Sequence, residues 1–344
     1  MKVELKGFNA HETEAWIESQ GLKPYQGRQI RHWLFKRLAG SFEEMTDLSK
    51  PLRGVLKEWA NINHLEKVCA PLSQDGTQKY LFSLSDGHFI EAVLIPEEGH
   101  FTLCISSQAG CAMGCRFCLT AKQGFKRDLK ASEIIDQVIQ VRKSMDNPDR
   151  LTNIVLMGMG EPLANYDAVL KAMGNLISAD GMNFSHRKVT LSTCGLVPEI
   201  RKLGRDITVN LAISLNAADD KTRSFLMPIN RKYPLKSLIG ACRDFPLPNR
   251  RMITFEYILI EDVNDGRQDA LKITSLLSGL RAKINLIPLN PYPGAEMSAP
   301  SMEKVRRFQE ILLKNHFTAI IRKGRGKDIQ AACGQLSGTN ILLR

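Results

Sequence analysis

Six stretches rich in β-forming residues, each followed by a stretch with helical spacing, constrain this chain more than any other feature. The β-rich runs are FTLCISS from 101, NIVLMGM from 153, KVTLST from 188, ITVNLAISL from 207, ITFEYILI from 253 and KINLIPL from 283. Apolar periodicity predicts helices over 132–143, 166–177, 196–203, 235–245, 268–277 and 302–315. Strands joined through helices of this length run parallel, because the helix carries the chain back along the sheet and covers it. The fold class is therefore α/β. A doubly wound sheet and a barrel both satisfy the alternation, and since no internal repeat closes eight strands, a partial barrel stays open too.

The segments upstream have a different character. Residues 12–19, 29–38 and 42–59 read as short helices, the last interrupted at Ser49, Lys50 and Pro51. Residues 23–37 hold five basic side chains and no acidic one. Ile30, Trp33, Leu34 and the Arg37 stem share a face there, leaving Arg28, Arg31 and Lys36 toward other faces. Either this is a solvated helix face or the segment is a small accessory domain that touches nucleic-acid phosphates. Residues 78–96 change to two β-rich runs around Ser85, Asp86 and Gly87, a linking hairpin.

Charge and cysteine content narrow the function. Lys and Arg number 47 against 36 Asp and Glu, a net +11 that favours a polyanionic partner or an anionic substrate. The first twenty residues carry four glutamates and no apolar segment, and no run approaches a membrane span, so a cytoplasmic protein with no membrane contact is expected. Eight cysteines in a reducing compartment are buried hydrophobes, metal ligands or catalytic thiols rather than structural disulfides. Three of them form Cys111-Ala-Met-Gly-Cys115-Arg-Phe-Cys118, just beyond the first core strand. Three thiolates in one glycine-flanked loop can hold three irons of a cubane and leave the fourth open to an amino-carboxylate ligand. Zinc is the competing occupant, but it normally needs a fourth nearby Cys or His.

This spacing after the first strand resembles the radical S-adenosylmethionine superfamily, and Gly158-Met159-Gly160-Glu161-Pro162 after the second strand is similar to that superfamily's glycine motif. The words RGRQIRHWLFKR, FEEMTDLSK, CISSQAGCAMGCRFCLTAKQGFKRDL, LMGMGEPLANYDAVL, LSTCGLVP, LIPLNPYPG and RKGRGKDIQAACGQL together resemble the RlmN-type RNA methyltransferases over essentially the whole chain. The resemblance implies a partial (β/α)6 barrel of the radical SAM type over 97–328. It also implies a helical RNA-binding accessory domain over 1–62, a linker and β-hairpin over 63–96, and a C-terminal segment over 329–344. The implied activity is methylation of carbon 2 of an adenosine in 23S rRNA and of the adenosine 3′ of the anticodon in tRNA. A paralogous Cfr-type branch, which methylates carbon 8 of the same rRNA adenosine, shares most of these words and stays open, as does a non-enzymatic iron–sulfur RNA-binding protein.

Residue roles follow from the resemblance. Cys111, Cys115 and Cys118 would bind one [4Fe–4S] cluster. Cys333 would carry a methyl group from one S-adenosylmethionine (SAM), and a second SAM, reduced at the cluster, would supply a 5′-deoxyadenosyl radical that takes hydrogen from that S-methyl group. Addition to the base gives a covalent link that Cys104 resolves, leaving a transient disulfide with Cys333. Glu91 matches the proposed general base; taken alone, a charge in an apolar run reads as a half-exposed edge strand. Gly160, Glu161, Ser192, Ser214, Leu215, Asn216 and Asn290 match SAM-contacting positions. Many relatives have histidine where this chain has Asn216, which keeps a donor and an acceptor but cannot titrate. Cys69, Cys194 and Cys242 read as small buried hydrophobes. RNA contacts are expected from residues 23–37, from Lys122, Lys126, Arg127 and Lys130, and from Arg322, Lys323, Arg325 and Lys327. An electron donor such as flavodoxin or ferredoxin and a monomeric state complete the expectation.

Overall fold

A computed structural model describes residues 2–62 and 64–338. Its centre is a ten-stranded sheet. In chain order the strands are β1 (Glu66–Cys69), β2 (Gln78–Ser83), β3 (Phe89–Glu97), β4 (His100–Cys104), β5 (Leu151–Leu156), β6 (Val189–Thr193), β7 (Asn210–Ser214), β8 (Ile253–Leu259), β9 (Ala282–Pro288) and β10 (Thr318–Ile321). Each strand lies beside its neighbour in sequence, β1 at one edge and β10 at the other. From β4 to β10 every pairing is parallel. A doubly wound sheet reverses its strand order at a switch point, and this sheet never does, so the winding is that of an open, partial barrel. The six expected units are present, and β10 adds a seventh parallel strand beyond them. Four residues made of TAII, following the last predicted helix, were too short a run to stand out.

The predicted hairpin does more than link. β3 pairs antiparallel with β4 and β2 with β3, so residues 66–97 extend the core sheet. Glu91 therefore lies on an internal strand and is fully buried, not half-exposed on an edge. A charge so placed demands a partner, and Lys79 on β2 provides it at 3.0 Å.

Helices α1 (Ala10–Ser19), α2 (Pro24–Phe35) and α3 (Lys50–Trp59) form the N-terminal unit. Local chemistry sets their limits: Asn9 and Glu12 close a capping box on α1, and Pro24 opens α2 five residues before the expected start. Ser49 caps α3, so the apparent interruption at Ser49, Lys50 and Pro51 is that helix's beginning. The unit shares one apolar core with the barrel. Two buried cations fix it there: Lys6 pairs with Asp136 at 2.5 Å, and Arg31 reaches Asp180 and Asn175 at 2.9 Å each. Arg31 is 1 % exposed, which removes it from the expected RNA-facing stripe.

Candidate active site

The loop after β4 is held from both sides before it reaches the first thiol. Gln137 on helix α4 (Ala131–Lys143) grips the backbone of Ser106, whose hydroxyl donates to the Glu91 carbonyl and accepts from the Met159 amide. Gln108 accepts from the Glu161 amide at 2.8 Å. These contacts lock the turn of the cluster loop to the glycine motif. Gly160 has φ +99°, and a side chain there would place Cβ 2.5 Å from Gln108 Cβ, so only glycine fits. At Gly110, φ +76°, an added Cβ would collide with the Gly124 carbonyl oxygen.

Cys111, Cys115 and Cys118 line one cavity of about 160 Å3 together with Gly158, Gly160, Glu161, Ser192, Ser214 and Asn216. Among the described residues no three His, Cys, Asp or Glu side chains converge on a point that would suit a single ion. Three thiols lining one cavity match a cluster, which takes one thiolate per iron. Burial pushes all three thiols up, Cys111 to about 12, so a bound cluster has to displace their protons. Glu161 is buried and accepts from the Leu163 and Cys194 amides at 3.0 and 2.7 Å. Desolvation nevertheless raises its pKa, and a cationic ammonium beside it would relieve that cost.

Cys333 hangs over this cavity on a segment clamped at many points. Leu119 N and Thr120 Oγ1, beside the last cluster thiol, donate to the Gly334 and Leu336 carbonyls. Gln335 donates to the Pro291 carbonyl and Asn290 to that of Cys333. On the hairpin side, Asp75 accepts from Gly326 N, Asp328 accepts from Ser73 Oγ, and Glu91 accepts from Ser337 N. The expected C-terminal segment over 329–344 is described as far as residue 338; Thr339 to Arg344 lie outside the described residues.

Cys104, at the end of β4, and Cys333 line a second cavity of about 410 Å3. Cys333 lines both cavities and so stands where they join. The residue is exposed, but the protein around its thiol and then Glu256 push that group up to about 11. Cys104 is buried, and desolvation followed by the nearby Cys333 raises it further. Both sulfurs rest as thiols, which suits groups that react only when a base or an incoming electrophile engages them.

The remaining expected residues fall in different places. Ser192 and Ser214 line the cluster cavity. Leu215 does not; its carbonyl accepts from Arg223 at 3.0 Å. Asn216 lines the cavity but uses its amide internally, accepting from Ile258 N and donating to Met227 Sδ. Asn290 has a buried Oδ1 without a hydrogen-bond partner. Glu91 is off both cavity linings, engaged with Lys79 and Ser337. Cys194 and Cys242 are buried as expected, whereas Cys69 on edge strand β1 is only half-buried. Of the basic residues near the cluster, Arg127 is consumed by Asp86 and Glu133, and Lys130 pairs with Glu4.

Two residues were missed by sequence reasoning. Glu256, the one charge in ITFEYILI, lines both cavities beside Cys333 and receives Asn285 Nδ2 at 2.9 Å. The same signal that drew attention to Glu91, a charge inside an apolar run, could have found it. Arg223 on helix α5 (Asp220–Leu226) is fully buried behind the three-thiol loop and donates to the carbonyls of Cys194, Ser214 and Leu215. Nothing in its helical context distinguishes it from a surface arginine.

Comparison with known proteins agrees with this geometry. Residues 3–62 match the ribosomal RNA large subunit methyltransferase N-terminal domain, and residues 105–272 match the radical SAM superfamily. A dual-specificity RNA methyltransferase RlmN from Desulfosudis oleivorans is 53% identical, over 97% of this chain and 90% of its own. That from Syntrophus aciditrophicus is 52% identical, over 98% and 97%. A crystal structure of a radical SAM methyltransferase from Sphaerobacter thermophilus superposes with a TM-score of 0.93 at 43% identity, covering 98% of this chain and 100% of that one. Superfamily membership implies a [4Fe–4S] cluster and SAM, and the cavity holding three thiols beside a glycine-rich strand end fits both. The chain belongs to the RlmN-type dual-specificity RNA methyltransferases of the radical SAM superfamily.

Proposed function

We propose that the chain methylates carbon 2 of an adenosine in 23S rRNA and of the adenosine 3′ of the anticodon in tRNA, with Cys333 as methyl carrier and Cys104 as resolving thiol. The observation that carries this reading is the shared cavity of Cys104 and Cys333, which opens at Cys333 onto the cavity lined by the three cluster thiols. Carbon 2 of adenine is not nucleophilic, so a polar methyl transfer from SAM to it is unavailable, and a protein sulfur has to carry the carbon.

Cys111, Cys115 and Cys118 would hold the cluster, which when bound supplies the electron that cleaves SAM. Gly160, Glu161, Ser192 and Ser214 surround the place of the amino-carboxylate and nucleoside, whereas Asn290, with its unpartnered Oδ1, lines the Cys104 and Cys333 cavity and offers an acceptor there. Cys333, as thiolate, takes the methyl group from the sulfonium and, once the SAM-derived radical has removed one hydrogen from that carbon, links through it to the base. Cys104 attacks the Cys333 sulfur, freeing the methylated RNA and leaving a disulfide that an external thiol reduces. Glu91 keeps the Cys333 segment in place through Ser337; acting as base toward carbon 2 would require it to release that amide. The protein acts as a cytoplasmic monomer and draws electrons from flavodoxin or ferredoxin in this reading.

Cys104→Ala protein tests the assignment. The adduct should accumulate, giving RNA attached at Cys333 on denaturing gels and in peptide masses after nuclease digestion, while Cys333→Ala should trap nothing. Cluster-loaded Cys104→Ala protein with normal turnover and no attached RNA would overturn it. Deuterium at carbon 2 or carbon 8 of the substrate adenosine then identifies the modified carbon, because only that position loses its label.

A further inference from the structure

The cavity that holds the two cysteines continues away from the cluster. Beside Cys104 and Cys333 it is lined by Arg187, Thr190, Asn210, Thr254 and Lys283, which lie before or at the starts of β6 to β9. Those five also line a further space of about 520 Å3, completed by Asn249, Arg250, Arg251 and Met252. A passage therefore runs through the open barrel from the N-terminal ends of the strands to the cysteines. The cluster loop and glycine motif occupy the other end.

The mouth of this passage is lined by positive charge, with Glu256 deeper along the adjoining cavity and within electrostatic reach of Lys283. Arg187, Arg250, Arg251 and Lys283 line it, and no carboxylate does. Arg251 donates through Nη1 to Asn210, but its Nη2 is buried without a hydrogen-bond partner. Desolvation, and after it the charge of the nearby Arg187, lowers the Arg251 pKa. Folding gains nothing from setting two guanidinium groups together beside an unfilled donor. An anion between them would satisfy the donor and cancel the repulsion.

We propose that this mouth binds the backbone phosphates flanking the target nucleotide, so that the RNA inserts its base from the strand N-terminal end, opposite the cluster. The inference rests on the RNA-modifying function above and adds the direction from which the RNA arrives. Nucleobases have to leave their stack to reach a buried site, and phosphate clamps on either side hold the flipped nucleotide in register. An acidic electron-donor protein is the rival occupant of a basic surface. The passage, however, leads to Cys104 and Cys333, whereas a donor has to approach the cluster loop.

The test compares the parent with Arg187→Ala/Lys283→Ala, neither of which takes part in the Arg251 contact to Asn210. Binding of a fluorescent RNA stem-loop with adenosine in its loop is followed by anisotropy as salt is raised from about 50 to about 200 mM. Each lost phosphate contact should flatten the plot of log K against log salt by about 0.7, so the double variant should lose about 1.4. Reconstituted iron content and the thermal midpoint show that both proteins are folded and loaded. Equal slopes for parent and variant overturn the inference while leaving the RNA-modifying function standing. Equal slopes combined with weakened binding of flavodoxin assign the mouth to the donor instead. A parent that loads its cluster but binds no RNA removes both readings.

Discussion

Glu91 on β3 accepts a hydrogen bond from the Ser337 amide at 2.8 Å while its other oxygen pairs with Lys79 at 3.0 Å, so one buried carboxylate joins the hairpin to the segment that bears Cys333. Lys79 reaches the same segment through the Gln330 carbonyl at 3.4 Å. Breaking a buried pair by removing one member strands the other charge, at about 3–5 kcal/mol. Glu91→Ala should therefore lower the unfolding free energy by roughly that much in urea titrations. It should also speed alkylation of Cys333 by iodoacetamide. Glu91→Gln keeps an acceptor for Ser337 and should show slower alkylation than the alanine variant. Equal alkylation rates in all three proteins would detach Glu91 from the Cys333 segment.

The three cluster thiols should be individually indispensable. After anaerobic reconstitution, Cys111→Ala, Cys115→Ala and Cys118→Ala should each lose most of the iron and the visible charge-transfer absorbance, whereas Cys242→Ala, which does not line that cavity, should retain both. Four irons per chain in any of the first three would refute the ligand set.

Two arginines on α2 should behave oppositely. Arg31 is enclosed by Asp180, Asn175 and the Phe8 carbonyl, so Arg31→Ala should cost about 3 kcal/mol of stability. Arg28 pairs with Glu14 in solvent, and Arg28→Ala should change stability by less than about 1 kcal/mol. Chemical denaturation of the two variants side by side decides this, and a small effect for Arg31 would contradict its anchoring role.

Glu256 makes stability depend on pH. Burial raises its pKa above the ordinary 4.5, against the opposing help of Asn285, Arg322 and Lys283. The folded state thus prefers the neutral carboxyl: stability is fully present below 4.5 and falls as pH rises through the higher folded value. Glu256→Gln preserves an acceptor for Asn285 without the charge. Its melting temperature should equal that of the parent in acid and exceed it at neutral pH. A variant less stable than the parent at neutral pH would show that Arg322 and Lys283 outweigh desolvation.

The sequence made legible those features whose determinants are contiguous. Alternating periodicity revealed the parallel sheet, and CAMGCRFC with GMGEP marked the strand ends that meet at the cluster cavity. Features assembled from distant residues were not legible. Arg187 stands beside Lys188 and Arg251 beside Arg250, but these short pairs and Lys283 are far apart along the chain, and only the parallel register of β6 to β9 brings them to one mouth. Conversely, residues 23–37 looked like one basic stripe because charge was counted along the chain. Three-dimensional packing buried Arg31 and paired Arg28, leaving a smaller exposed surface. Glu91 and Glu256 gave the same sequence signal but occupy different surroundings, since strand alternation fixes which face a residue takes and not what stands opposite.

The clamp on Cys333 has a bearing on how the protein is made. Its ties span long stretches of chain: Ser337 to Glu91 are 246 residues apart, and Asp328 to Ser73 are 255. Contacts of such separation form only after the intervening chain has been ordered, because loop closure has to be offset by structure already in place. During synthesis the cluster loop and every barrel strand leave the ribosome before the Cys333 segment does. A nascent chain can therefore order its barrel strands and three-thiol loop while Cys333 is still missing, and Cys104 and Cys333 come together only after the barrel between them is in place.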